Sequence, residues 1–138
     1  MENLEIDLLD FEEKKIKVDE IEQGPNTISI KQRDLHFDKE DMVFIFLKNI
    51  KTREKYLCNH SINENKLVIS LDSLAHCFTD NEGAIFIILK RGFKYYIYTP
   101  ILNKSSNIKF TDKSNAVYEW YLRKLDNGEF RISTIIKK

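Results

Sequence analysis

The run Ala84-Ile85-Phe86-Ile87-Ile88-Leu89-Lys90-Arg91-Gly92-Phe93-Lys94-Tyr95-Tyr96-Ile97-Tyr98-Thr99-Pro100 decides the fold class. Two stretches of β-branched and aromatic residues flank one glycine, the pattern of two antiparallel strands joined by a tight turn. A three-residue loop, Lys90-Arg91-Gly92, places Gly92 in the left-handed position that follows a type I turn, where glycine carries no steric penalty. That register sets Ile85, Ile87 and Leu89 on one face with Phe93, Tyr95 and Ile97. The opposite face carries Phe86, Ile88, Lys94, Tyr96 and Tyr98. A two-residue Arg-Gly loop mixes these faces, because a slip of one residue turns every side chain over.

Working outward, Met42-Val43-Phe44-Ile45-Phe46-Leu47 is apolar at successive positions, which suits a strand in the middle of a sheet covered on both faces. The polar stretch Asn49 to Glu54 breaks it, and Lys55-Tyr56-Leu57-Cys58 reads as the return strand. Lys66 to Leu71 follows an Asn-rich loop, and Asp72 to Ala75 fits one helical turn capped by Asp72 or Ser73. Nearer the start, Lys15 to Ile21 and Thr27 to Lys31 alternate around the turn Gly24-Pro25-Asn26. Ile108-Lys109-Phe110 is a short candidate strand. A final hairpin joins Ala116–Leu125 to Phe130–Ile136 through Asp126-Asn127-Gly128-Glu129, with Asn-Gly as its turn signal. Its alternation puts Tyr118, Trp120 and Leu122 on one face and Glu119, Tyr121 and Arg123 on the other. Residues 1–14 read either as a helix, from Leu4, Leu8 and Phe11, or as an edge strand over Leu4 to Asp10. About nine short strands with no linker between them predict a single all-β domain over residues 1–138. The expected architecture is an immunoglobulin-like antiparallel β-sandwich of seven to nine strands.

Composition supports this reading. The chain has 138 residues, 42% of them hydrophobic, with 22 basic and 22 acidic side chains. That is enough chain to bury a core without metal or disulfide staples, and the balanced charge disfavours disorder. Four Gly, two Pro and two Cys exclude collagen-like and disulfide-framework classes. No apolar run is long enough to span a bilayer, and an acidic start is the reverse of a signal-peptide n-region, so the expected location is cytoplasmic. The zero net charge conceals a gradient. Residues 1–23 hold nine acids and three lysines, whereas residues 86–138 hold eleven basic groups and four acids. Such asymmetry marks either a polyanion-binding face or two segments that neutralise one another in the fold.

No catalytic constellation emerges. Cys58, His60, His76 and Cys77 lack zinc-site spacing, and adjacent ligands on a strand point in opposite directions. Neither G-x-S-x-G nor S-x-x-K occurs, and the four glycines stand singly, at turns, and form no phosphate cradle. The expectation is therefore a non-enzyme with no cofactor and no metal, its two cysteines free. The surface of interest is aromatic and basic: Lys94, Tyr96 and Tyr98, with Tyr121 and Arg123 as neighbours. Such a set suits a protein interface, or stacking on sugars or bases with phosphate held by the cations. The plainer reading is that Phe86, Ile88, Tyr96 and Tyr98 face the N-terminal segment or a partner domain.

Three stretches carry a resemblance. They are Phe46-Leu47-Lys48-Asn49-Ile50-Lys51-Thr52-Arg53-Glu54-Lys55-Tyr56, Leu67-Val68-Ile69-Ser70-Leu71-Asp72-Ser73-Leu74, and Tyr118-Glu119-Trp120-Tyr121-Leu122-Arg123 followed by Arg131-Ile132. Together they resemble the small β-sandwich accessory domains of CDP-glycerol glycerophosphotransferase-type and related bacterial cell-surface glycopolymer enzymes. The resemblance covers residues 15–136 and carries over no catalytic residue. It implies a non-catalytic module that packs beside a protein partner or linked transferase domain, or binds an anionic glycopolymer. A single-stranded nucleic-acid binder using the same hairpin face is the alternative, disfavoured by the absence of a net basic footprint.

Overall fold

The computed structural model describes residues 11–112 and 117–137. Ten strands account for most of them: β1 (Phe11–Gln23), β2 (Thr27–Gln32), β3 (Met42–Asn49), β4 (Lys55–Cys58), β5 (His60–Asn63), β6 (Lys66–Ser70), β7 (Gly83–Arg91), β8 (Lys94–Phe110), β9 (Tyr118–Lys124) and β10 (Phe130–Ile136). A 3₁₀ helix, Asp72–Phe78, follows β6, with Leu71 at its N-cap position. The expectation of an all-β chain holds. The open choice between helix and strand resolves to strand for residues 11–14, while residues 1–10 lie outside the described residues, as does Ala116 of the last expected hairpin.

Hydrogen bonding runs in the order β4-β3-β7-β8-β1-β2-β6-β5, with the β9–β10 hairpin attached to β7 where Ile132 pairs with Gly83. The strands at the two ends of that path, β4 and β5, are consecutive in the chain, separated by Asn59 alone. The path thus bends back on itself into a flattened, nearly barrel-like sandwich. At the other corner β1 and β8 pass from one layer to the other, and their register shifts between Val18 and Glu20. Ser106 Oγ fixes that irregularity by donating to the Val18 carbonyl at 2.6 Å, while the Asn103 carboxamide oxygen accepts from the Ser105 amide at 2.8 Å. Bulges and bends of this kind let one strand serve both sheets.

One pairing departs from an all-antiparallel sandwich: β1 and β8 run parallel, from Phe11↔Tyr95 to Gln23↔Phe110. This places described residues of the acidic leading segment along the basic-rich half, and Lys109 Nζ meets Glu20 Oε1 at 3.0 Å. Part of the charge gradient is neutralised within the fold. The core between the layers comprises Ile16, Val18, Ile21, Ile28, Ile30, Ile45, Leu47, Leu67, Ile69, Ile85, Ile87 and Leu89, closed at one end by Phe78, Trp120, Phe130 and Ile132. Trp120 is buried and Tyr118 and Leu122 pack beside it, as the alternation of β9 predicts. Gly83 stands inside this packing and opens β7, so it is not a turn glycine. A Cβ there would lie 2.7 Å from Phe78 Cε1 and 2.8 Å from Leu47 Cδ1.

Candidate binding surfaces

The β7–β8 turn differs from expectation. Arg91 pairs with Lys94, which leaves a two-residue loop, Gly92-Phe93. Gly92 has φ +63° and is the first central residue, as a type II′ turn requires. A positive-φ glycine serves equally well one step later in a three-residue bulged loop, so the glycine alone does not fix the register. The shift turns β8 over relative to β7. Tyr96 now pairs with Leu89 and Tyr98 with Ile87, on the core face, while Ile97 pairs with Ile88 and Tyr95 with Lys90 on the outer face.

The five expected surface residues consequently fall into two groups. Lys94, Tyr96 and Tyr98 lie near the hairpin tip, on the inward side of the sheet. Tyr96 and Tyr98 are half-buried against the core, with ring centroids 6.3 Å apart. Lys14 Nζ sits 5.2 Å from the Tyr96 ring centroid, a cation–π contact contributed by β1. Arg91, beside them, is engaged in a fork with Asp41 at 3.0 and 2.7 Å and donates to the His36 carbonyl at 2.7 Å. Its guanidinium, assisted by the Asp38 amide, holds the Asp41 carboxyl below its ordinary range.

Tyr121 and Arg123 belong to β9, at the far end of β7. Arg123 donates through Nε and Nη2 to Glu82 at 2.8 and 2.6 Å, and this pairing lowers the Glu82 carboxyl. The Tyr121 hydroxyl donates to Glu119 at 2.9 Å, which pushes the phenol up. Glu82 lies five residues before Ile87, the partner of Tyr98, and nine before Arg91, the partner of Lys94. At about 3.3 Å per residue the two groups are roughly 17–30 Å apart along the strand. No continuous aromatic and basic groove joins them.

Cys58 and Cys77 form no disulfide. Cys58 is buried in the core, and Cys77 Sγ lies 3.4 Å from His76 Nε2. Among the described residues no group of three or more His, Cys, Asp and Glu gathers to hold a metal ion. No described helix is long and apolar enough to cross a membrane.

A second surface comes from residues that were read as strand interior. On the outer face of β4-β3-β7-β8 the register aligns Leu57, Phe46 and Phe86 in one row and Phe44, Ile88 and Ile97 in the next, with Met42, Lys90 and Tyr95 in a third. Phe46 and Phe86 stack at 5.2 Å with 13° between their planes. Phe46 is only 8% and Ile88 only 6% exposed, whereas Leu57 is 43% and Met42 49% exposed. The signal was present in Met42–Leu47 and Ala84–Leu89, both apolar on two faces. The structure supplies a covering layer for one of those faces.

The described residues thus form a nearly barrel-like sandwich with apolar side chains on the outside of one of its sheets. Among solved structures the fold is shared with part of S. aureus TarS. A structure of TarS residues 217–571 aligns at TM-score 0.61 and 12% identity, over 89% of this chain and 39% of that one. A second structure, of S. aureus TarS, aligns at TM-score 0.59 and 12% identity, over 89% of this chain and 25% of that one. At that identity the likeness is one of fold, and the chain spans well under half the length of either. No protein-family model and no curated protein matches the sequence.

Proposed function

We propose that this domain is a non-catalytic accessory module of a bacterial cell-surface glycopolymer transferase system, acting on the cytoplasmic side through protein contact. The carrying observation is the fold likeness, which takes in nearly the whole of this chain and a minor part of TarS, a teichoic acid glycosyltransferase. A module that small within a longer enzyme is a natural accessory unit, although fold alone never fixes activity. Separation of Lys94, Tyr96 and Tyr98 from Tyr121 and Arg123 supports protein contact over a polymer or nucleic-acid groove, since stacking platforms need aromatic and basic groups in one track.

Deletion of the coding sequence in the native host tests the reading. The expected outcome is a loss of sugar or glycerol-phosphate substituents on the surface polymer, measured by mass spectrometry of released repeat units and restored by the intact gene. An unchanged polymer would overturn it. Purified protein titrated with labelled single strands and with glycerol-phosphate polymer across a salt series separates the alternative. Tight oligonucleotide binding with a steep salt slope, abolished by Lys94→Ala with Tyr96→Ala, would replace this reading with nucleic-acid binding.

A further inference from the structure

We propose that the outer face of β4-β3-β7-β8 docks a protein surface with an apolar centre and a carboxylate rim. Resting on the reading above, that surface belongs to the transferase which the module serves. Phe44, Phe46, Leu57, Phe86, Ile88 and Ile97 form the centre of the face, and none of them belongs to the core cluster that joins the two sheets. They make a second apolar layer in which Phe46 and Ile88 are buried, while Leu57 at 43% and neighbouring Met42 at 49% are exposed. Contiguous patches of this kind mark interaction sites on proteins that otherwise keep a polar surface.

Charge selects the occupant. Among the described strand residues, alternation puts Lys15 and Lys17 of β1, Lys48 of β3, Lys55 of β4 and Lys90 of β7 around the same face, with Glu13 of β1 as the one acid. Lys48 and Lys55 stand directly opposite one another. Like charges in that position destabilise a sheet, and among the described residues neither lysine forms an ion pair. The opposite sheet also pairs two lysines, Lys31 and Lys66, but there Glu20 sits across from Lys31 and feels both charges. The uncompensated pair therefore lies on the apolar face, where carboxylates from outside would complete it. A second copy of this chain fits poorly, since lysine rims would meet. A single-stranded nucleic acid fits poorly too, because Phe46 and Phe86 already stack on each other and Leu57, Ile88 and Ile97 offer no ring to a base.

Zero-length carbodiimide cross-linking of the tagged full chain in its native host, followed by peptide sequencing, tests the proposal. The expected products join Lys48 or Lys55 to Asp or Glu of one glycosyl- or glycerophosphotransferase. Their yield should fall at least about tenfold in Leu57→Asp and in Met42→Asp, both changes at exposed positions, and persist in Lys31→Glu on the other sheet. The same variant pattern with an identified protein that is not a transferase would keep the docking face and overturn the functional reading. Products confined to residues 2–13 of the same chain, products between two copies, or none from this face would overturn the docking proposal. So would retention on phosphatidylglycerol vesicles that Leu57→Asp abolishes, which would assign the face to a bilayer.

Discussion

On the outside of the β2-β6-β5 half the chain presents Ser29, Lys31, Ser61, Lys66 and Ser70, with Glu20, Glu22 and Lys109 beside them and Val68 as the one aliphatic residue. On the outside of the β4-β3-β7-β8 half, equivalent positions carry Phe44, Phe46, Leu57, Phe86, Ile88 and Ile97. Both halves contribute similar inward rows of Ile, Leu and Val to one core. Since the core is built from those inward rows, the polar half shows that an outer face of this sandwich can be polar. The apolar half carries more hydrophobic surface than the core demands, and that contrast between the two outer faces is what the docking proposal rests on.

The largest expected effect comes from removing a ring of the apolar layer. Phe46→Ala should cost about 3–4 kcal/mol, since the ring is only 8% exposed and stacks on Phe86. Val68→Ala at the corresponding level of the polar face should cost under about 1 kcal/mol. Urea unfolding midpoints of the two variants check this, and equal losses would erase the contrast between the faces.

An intermediate effect tests the charged anchors of the two halves. The Arg91–Asp41 fork ties the segment before β3 to the β7–β8 hairpin, and the Asp41 side chain is nearly inaccessible. Its carboxyl is held low in the folded state, so it contributes stability above its unfolded value that is lost as pH falls through the folded value. Arg91→Ala should lower stability by about 1–2 kcal/mol at neutral pH. That deficit should shrink as the medium is acidified below the ordinary carboxylate range, and a deficit that stays constant with pH would remove Asp41 from the account. The exposed Lys109–Glu20 pair on the other half should show no measurable shift in the same unfolding series when Lys109 is changed to Ala.

The smallest effect is a gain. Lys48→Glu relieves the like-charged pair with Lys55 and should raise stability by a few tenths of a kcal/mol, roughly 0.2–0.5. Lys31→Glu, which sets a second acid beside Glu20, should not raise it. Matched thermal melts at low salt distinguish the two, and a loss in Lys48→Glu would mean that the lysine pair is already compensated.

Much of the fold was legible. Strand alternation located both hairpins of the apolar half, β3–β4 and β7–β8, but not the β3–β7 pairing between them, and Asn127-Gly128 marked the β9–β10 turn. The face assignment of β8 was not legible, because Gly92 satisfies two loop lengths and the choice inverts Tyr95 through Tyr98. Only the burial of Tyr96 and Tyr98 against Leu89 and Ile87, a tertiary fact, selects between them. The parallel β1–β8 pairing was hidden for a related reason: partners 84 positions apart leave no local turn signal. The proposed surface residues suffered from both effects. Arg123 and Tyr121 are placed by β10 and Glu82, neither of which is near Lys94 in space or sequence. The apolar outer face, in contrast, was written into Met42–Leu47, but as a strand pattern that does not say who provides the cover.

That parallel pairing also sets a timetable for synthesis. Phe11 leaves the ribosome 84 residues before Tyr95, an interval of roughly 4–17 s at ordinary translation speeds. Once β2 has emerged, Val18 and Ile21 have β2 on one side and no strand on the other until β8 arrives. The chain therefore carries an unfinished sheet edge for most of its own production, and β8 closes it nearly last. Non-local closure of that kind is slow and exposes the nascent chain to wrong strand pairing. Cells that make this domain have reason to keep a holdase chaperone close to the exit tunnel until residue 110 has emerged.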